Sequence, residues 1–205
     1  DLGKLQEAEI SHRKAIELNP NYAEAHSNLG NILSDLGKLK EAGVSTRKAI
    51  ELNPNWAEAY SNLGIILKDL GKLKEAELST RKAIELNPNY AEAVFLLSCL
   101  QMLQDDYISG LKNYESRFGT KKSKVELHAQ PKIPRWLGES AKEGKRLLII
   151  SEQGLGDTIH FMRYVPYLRE KGYEVIFCAQ ESLNPLIKES GIESNLITKQ
   201  QANQI

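Results

Sequence analysis

The stretch Glu152-Gln153-Gly154-Leu155-Gly156-Asp157 follows the apolar run Leu147-Leu148-Ile149-Ile150 and precedes a helical pattern from Thr158 to about Lys171. A strand, a Gly-x-Gly turn and a helix in that order place chemistry at the turn. The glycines let the backbone double back tightly, and the following helix presents unpaired N–H groups and a positive dipole end. Gly154, Leu155 and Gly156 are therefore expected to form a loop against an anionic or polar substrate. Asp157 opens the helix, where a carboxylate stays ionised and exposed. Such a group suits a general base, and the same placement suits an N-cap. His160, one turn further on, either faces the same cleft or is a packed or solvated residue of an amphipathic helix. As a dinucleotide fingerprint the turn fails, because Ile159 stands where a third glycine or alanine belongs.

The elements around this turn read as β-α-β-α-β. The run 147–150 is short and continuously apolar, as in a buried parallel strand. Pro166 should kink the first helix after about two turns, and Gly172 ends it. Glu174 to Gln180 reads as a second strand, Glu181 to about Ser190 as a second helix, and Asn195 to Thr198 as the start of a third strand. This is the opening of a Rossmann-like parallel sheet, a partial α/β unit over 146–205. Two helices do not cover both faces of three parallel strands. The sheet is therefore expected to continue beyond Ile205, or to be covered by a partner such as the second copy of a homodimer.

The first half follows another period. DLGKLQEAEISHRKAIELNP at 1–20 returns almost letter for letter at 35–54 and again at 69–88, so the copies start at one fixed interval. Such a period marks a helical solenoid, in which each unit buries its apolar face by stacking on a neighbour. Counting from Ala23 and Ala57, position 4 carries His26 or Tyr60. Positions 7 and 8 carry Leu29-Gly30 and Leu63-Gly64, and position 11 carries Leu33 and Leu67. Alanine returns at Ala42, Ala76, Ala49 and Ala83, and proline at Pro54 and Pro88. The pattern resembles the tetratricopeptide repeat, a pair of antiparallel helices per unit. Gly30 and Ala42 are small where two helices cross, Leu29 and Leu33 form an apolar stripe, and Gly37 and Gly71 break the chain between helices. Full repeats span 23–56 and 57–90, with the second helix of an earlier repeat in 1–22. A degenerate repeat occupies 91–118, where Ser98 replaces glycine and Gly110 replaces alanine. Asp1 falls in mid-repeat, so the whole protein is expected to begin earlier.

Asn28 and Asn62 share one repeat position on the first helix of each pair. The resemblance extends to the repeat superhelix of O-linked N-acetylglucosamine transferase, where asparagines at this position hold the backbone of an extended peptide. An amide both donates and accepts. The resemblance therefore implies a peptide groove at Asn28 and Asn62, with Asn31 grouped beside them, and a protein or peptide partner. Asparagine is also simply common at this position in such repeats.

Between the halves lies 119–145, a turn-rich linker with Pro131, Pro134, Gly138 and Gly144. Residues 112–146 hold 10 Lys/Arg against 4 Asp/Glu, whereas 1–111 hold 12 against 16 and 147–205 hold 5 against 7. The basic residues Lys121, Lys122, Lys124, Lys132 and Arg135 lack interleaved aromatics, so they read as a solvated loop with no nucleic-acid partner. Trp136 is expected to pack on a flanking domain. Cys99 and Cys178 each sit in an apolar run without metal-ligand spacing. They read as reduced thiols of a cytoplasmic protein. His12, His26, His128 and His160 are scattered, and no metal site is expected. No apolar run reaches the roughly 18 residues of a membrane span.

The run SEQGLGDTIHFMRYVPYL, preceded by GLKNYESRF and PRWLG, resembles a bacterial family of repeat proteins. The C-terminal half of that family is similar to heptosyltransferases and to O-linked N-acetylglucosamine transferase. Those enzymes place two Rossmann-like domains across a cleft, the GT-B fold. The resemblance implies that 146–205 begins the acceptor-side half, with Asp157 as the base that deprotonates the acceptor hydroxyl. It implies a nucleotide sugar as the whole protein's donor, bound beyond Ile205, and no cofactor or catalysis in 1–205 alone. Two alternatives stand beside it. Glu-x-Gly-x-Gly after a strand also resembles the first motif of S-adenosylmethionine methyltransferases, with Glu181 where their ribose-binding acid would be. The chain also reads as a pure interaction scaffold.

Overall fold

The computed structural model describes residues 2–120, 127–136, 145–152, 154–192 and 195–205. Lys121, Lys122, Lys124, Gly138, Gly144 and Gln153, named above, lie outside them. The chain divides into two compact units, Asp1–Ser123 and Lys124–Ile205.

The first unit is a helical solenoid. Helix α1 (Leu2–Leu18) precedes the pairs α2 (Ala23–Asp35) with α3 (Leu39–Leu52) and α4 (Ala57–Asp69) with α5 (Leu73–Leu86). The pair α6 (Ala91–Leu103) with α7 (Tyr107–Tyr114) follows, and a 3-10 turn (Glu115–Gly119) extends it. Leu29, Leu33 and Ala42 of the first full pair form one buried cluster together with Ile66 of the next. Leu63, Leu67 and Ala76 likewise cluster with Leu96 and Leu100. Each apolar face is thus closed by the following repeat, the arrangement the period demands. The crossings are tight. A Cβ on Gly64 would lie 2.5 Å from Thr80 Oγ1 and 3.1 Å from Leu96 Cδ2. Thr80 itself is fully buried and donates to the Ala76 carbonyl at 2.8 Å.

The turn between paired helices takes a left-handed residue, Gly37 at φ 74° and Gly71 at φ 75°. Gly37 N–H donates to Ser34 O and Lys38 N–H to Leu33 O, which closes the helix end. In the degenerate repeat the same position is Asp105, at φ 64°. A Cβ there meets the following carbonyl, at a cost of roughly 1 kcal/mol. Asp105→Gly should raise the unfolding free energy of the array by up to that amount, with the exposed Tyr107–Asp105 hydrogen bond (3.0 Å) a minor loss. A urea titration checks the sign, and a lower midpoint would refute the strain.

The exchange at Ser98 and Gly110 also has a packing basis. Ser98 is fully buried in α6, in the slot Gly30 and Gly64 occupy. Opposite it, a Cβ on Gly110 would lie 2.6 Å from Met102 Cγ and 3.3 Å from Ser98 O. Met102 thus takes the room that an alanine side chain would need at Gly110.

In the second unit, β1 (Arg146–Ile150) pairs in parallel with β2 (Glu174–Cys178), Arg146 opposite Glu174 and Ile150 opposite Cys178. The helix expected from Thr158 begins earlier, as α8 (Leu155–Phe161), and resumes as α9 (Tyr164–Glu170). The break falls at Met162–Arg163 and not at Pro166. The proline ring excludes the carbonyl four residues back, which is that of Met162, and Val165 N–H bonds it instead at 2.9 Å. After β2 come a 3-10 turn (Glu181–Leu183) and α10 (Asn184–Glu189). The expected third strand is reduced to a single parallel bridge, Phe177 with Leu196. It stops there because Thr198 starts α11 (Lys199–Ala202), closed by a Thr198–Gln201 capping box.

Side chains of β2 alternate between two clusters. Val175 and Phe177 join Met162, Val165 and Ile187 on one face. Cys178 joins Ala129 and Ala202 on the other. Ala129 belongs to the stretch read as linker. His128 N–H donates to Ser151 O at 3.0 Å, so these residues help to cover the sheet. Trp136 meets Tyr173, ring centroids 5.6 Å apart. Cys178 is buried and Cys99 half-buried, and burial pushes both thiols above their ordinary pKa.

Candidate functional site

Asn28 and Asn31 lie three residues apart on α2 and share a face, both exposed. Asn62 occupies the place of Asn28 on α4 and is half-buried, while Ile65 takes the place of Asn31. In α6 the two positions pass to Leu96 and Cys99, so the amides do not extend there. One recurrence missed in the sequence runs beside them. Tyr22, Trp56 and Tyr90 precede the three first helices, each one repeat after the last. Trp56 Nε1 donates to Glu58 at 3.1 Å. Burial, then the charges of Glu58 and Glu92, push the Tyr90 phenol above its ordinary pKa, against a hydrogen bond with Ser61. Tyr90 thereby ties the start of α6 to α4.

The turn after β1 is the second candidate. Ser151 N–H donates to Cys178 O at 3.0 Å and holds the strand end against β2. Gly154 is the N-cap of α8, and no side chain caps it. Asp157 therefore is not the cap. It stands in the first turn, exposed, with Oδ2 3.6 Å from where a Gly154 Cβ would be. Leu155 and Gly156 are exposed too, and a Cβ on Gly156 would meet nothing within 4 Å. Space is thus open beside the carboxylate. Thr158 donates to Gln180 Oε1 at 2.8 Å and ties the turn to the chain after β2.

His160 is exposed and faces its own helix neighbours. Arg163 donates to its Nε2 at 3.2 Å, and the Phe161 ring meets it edge-on with centroids 4.9 Å apart. The Arg163 guanidinium also lies 5.1 Å from the Tyr164 ring centroid. Phe161, Tyr164 and Tyr167 are all exposed, a rim of aromatics on the helices that follow Asp157. The run FMRYVPYL held this signal, since Met162, Val165 and Leu168 have the spacing that faces the core and leave Phe161, Tyr164 and Tyr167 outside it. Among the described residues no group of three or more His, Cys, Asp or Glu is placed to hold a metal. No helix among them is long and apolar enough to cross a membrane.

Residues 23–55 and 57–90 match the family model of the tetratricopeptide repeat, and residues 1–37 match a second model, the TPR repeat. Among solved structures, a crystal structure of MamA is similar at 27% identity and a TM-score of 0.53, covering 58% of this chain and 70% of that one. A second MamA crystal structure has 27% identity and a TM-score of 0.51, and covers 56% of this chain and 62% of that one. MamA 41-end from Desulfovibrio magneticus RS-1 shares the fold at 22% identity, a TM-score of 0.53 and coverage of 61% and 71%. No curated protein matches the chain.

Proposed function

We propose that this chain, whose first 90 residues match tetratricopeptide repeats, is a protein-interaction module that holds an extended peptide along its first helices. The observation that carries this is the stacked array with Asn28 and Asn31 exposed on one face and Asn62 one repeat further on. Two amides a repeat apart engage two peptide units of an extended chain. The test is the affinity of residues 1–205 for a peptide selected by display on the array. Asn28→Ala with Asn62→Ala should weaken it about 5- to 30-fold, at roughly 1 kcal/mol per lost hydrogen bond. Unchanged affinity would return the asparagines to a packing role.

The second unit supports a further reading, the acceptor-side opening of a Rossmann-like sugar-transfer domain of GT-B type. It is favoured by the parallel β1–β2 pair with its helical crossover, by the parallel bridge at Leu196, and by the exposed Asp157 beside open space. Residues 147–150 of β1 are half-buried where those of β2 are mostly buried, which fits a sheet that continues in further chain or against a second copy. On this reading the repeats recruit a protein acceptor, Asp157 takes its hydroxyl proton, and a nucleotide sugar held by another domain supplies the sugar.

A further inference from the structure

The face that carries the asparagines changes its chemistry along the array. On α2 it is the stripe Glu24, Asn28, Asn31 and Asp35, at i, i+4, i+7 and i+11, and all four are exposed. One repeat on, in α4, Ile65 and Asp69 take the places of Asn31 and Asp35. In α6 those places pass to Cys99 and Leu103. The stripe thus runs from wholly polar at α2 to apolar at α6.

Charge follows the same gradient. Helix α2 carries no lysine or arginine, and Glu24 and Asp35 form no ion pair among the described residues. On α4 Lys68 lies 3.0 Å from Asp69 and balances it. On α6 Leu103 is 58% exposed where the earlier repeats have aspartate. Across the next turn Ile108 is exposed where they have Lys40 and Lys74. Two charged positions of the repeat thus become uncovered aliphatics at one end, and unpaired carboxylates stand at the other. Uncovered apolar surface of this kind marks an interaction site, and complementary charge fixes a partner's register. Helix α2 packs on α4, and α4 on α6. Two steps of about 8–10 Å each take about five or six residues of extended chain, at roughly 3.3 Å per residue.

Resting on the peptide reading above, we propose that the segment held there is polarised. It carries a lysine or arginine over α2, beside Asp35, and a large apolar residue about five or six positions away over α6, beside Leu103. The cation meets a carboxylate that has no partner in the array, and the apolar residue covers a leucine that the array leaves in water.

The test is display of random peptides of roughly a dozen residues, long enough to cross all three first helices, against residues 1–205. The expected selection has lysine or arginine at one position and leucine, isoleucine, methionine or phenylalanine about five or six positions away. Selection on Asp35→Lys should exchange the cation for aspartate or glutamate and keep the apolar residue. Selection on Leu103→Gln should lose the apolar preference and keep the cation. Both positions are exposed, so the thermal midpoints should stay level. If Asp35→Lys fails to fold, Asp35→Asn should still weaken the most enriched peptide up to about fivefold, and less at high salt. Leu103→Gln should weaken it roughly tenfold. Enriched peptides without the cation–apolar pair, or a pair unmoved by the variants, would overturn the proposal. If such peptides still weaken on Asn28→Ala with Asn62→Ala, the ladder stands and the polarity alone falls. Peptides that follow Asp35 and Leu103 but ignore the asparagines would support the polarity and remove the ladder. Enrichment of no peptide would overturn both. Self-association of residues 1–205 that Leu103→Gln abolishes would assign the apolar end to a second copy and overturn the proposal.

Discussion

Gly64→Ala is expected to destabilise the repeat array by about 2 kcal/mol, a mid-range cost for an overpacked core. The new methyl would stand 2.5 Å from Thr80 Oγ1 and 3.1 Å from Leu96 Cδ2, so neighbours on two helices must move. Overpacking of this kind costs about 1–3 kcal/mol. Moving the Thr80 hydroxyl also breaks its 2.8 Å bond to Ala76 O. A bond of that kind contributes about 1 kcal/mol. Against these stands a gain of up to roughly 1 kcal/mol from replacing glycine inside a helix. Urea melts of Gly64→Ala, Thr80→Ala and the double variant check the mechanism. Thr80→Ala removes the atom that clashes, so the double variant should be markedly more stable than the sum of the singles predicts. Strict additivity would place the cost elsewhere.

The largest effect on activity is expected at Asp157. In the whole protein, on the sugar-transfer reading, Asp157→Asn should lower kcat about 10²- to 10⁴-fold, the usual contribution of a positioned proton acceptor. The fold should be unaffected, because the carboxylate is exposed and does not cap α8. Residues 1–205 alone should turn over no nucleotide sugar. The measurement is initial rates with donor and protein acceptor, alongside circular dichroism of the variant. Wild-type turnover would falsify the role of Asp157 as base and assign the proton acceptor to another group.

The solenoid is legible because its signal repeats. One misread position is outvoted by its counterparts in the other copies, and the glycines and alanines of the helix crossings have few other reasons to recur. The second unit has no such redundancy. The apolar pair Leu196-Ile197 reads as a third strand, yet Thr198 and Gln201 form a capping box that turns the chain into a helix after one bridge. That competition between a β-prone pair and a local cap is decided by geometry and not by composition. Ala129 is hidden for a different reason. Its neighbours Pro131, Pro134 and several lysines give the segment the composition of a linker, and the contact with Cys178 that buries it is remote in sequence. At the candidate turn the order strand, glycines, Asp157 is readable. That Gly154 is the N-cap, leaving the Asp157 carboxylate exposed beside open space, requires the backbone.

The Ser98–Gly110 exchange has a consequence for inheritance. Near-identical copies invite unequal crossing-over, which inserts or deletes whole units. A crossover that joined α6 to a regular second helix would set an alanine side chain against Met102, where Gly110 now leaves it room. Exchanges upstream of Ala91 keep Met102 opposite Gly110. The packing thus favours copy-number change among the units upstream of Ala91 over exchange inside 91–118.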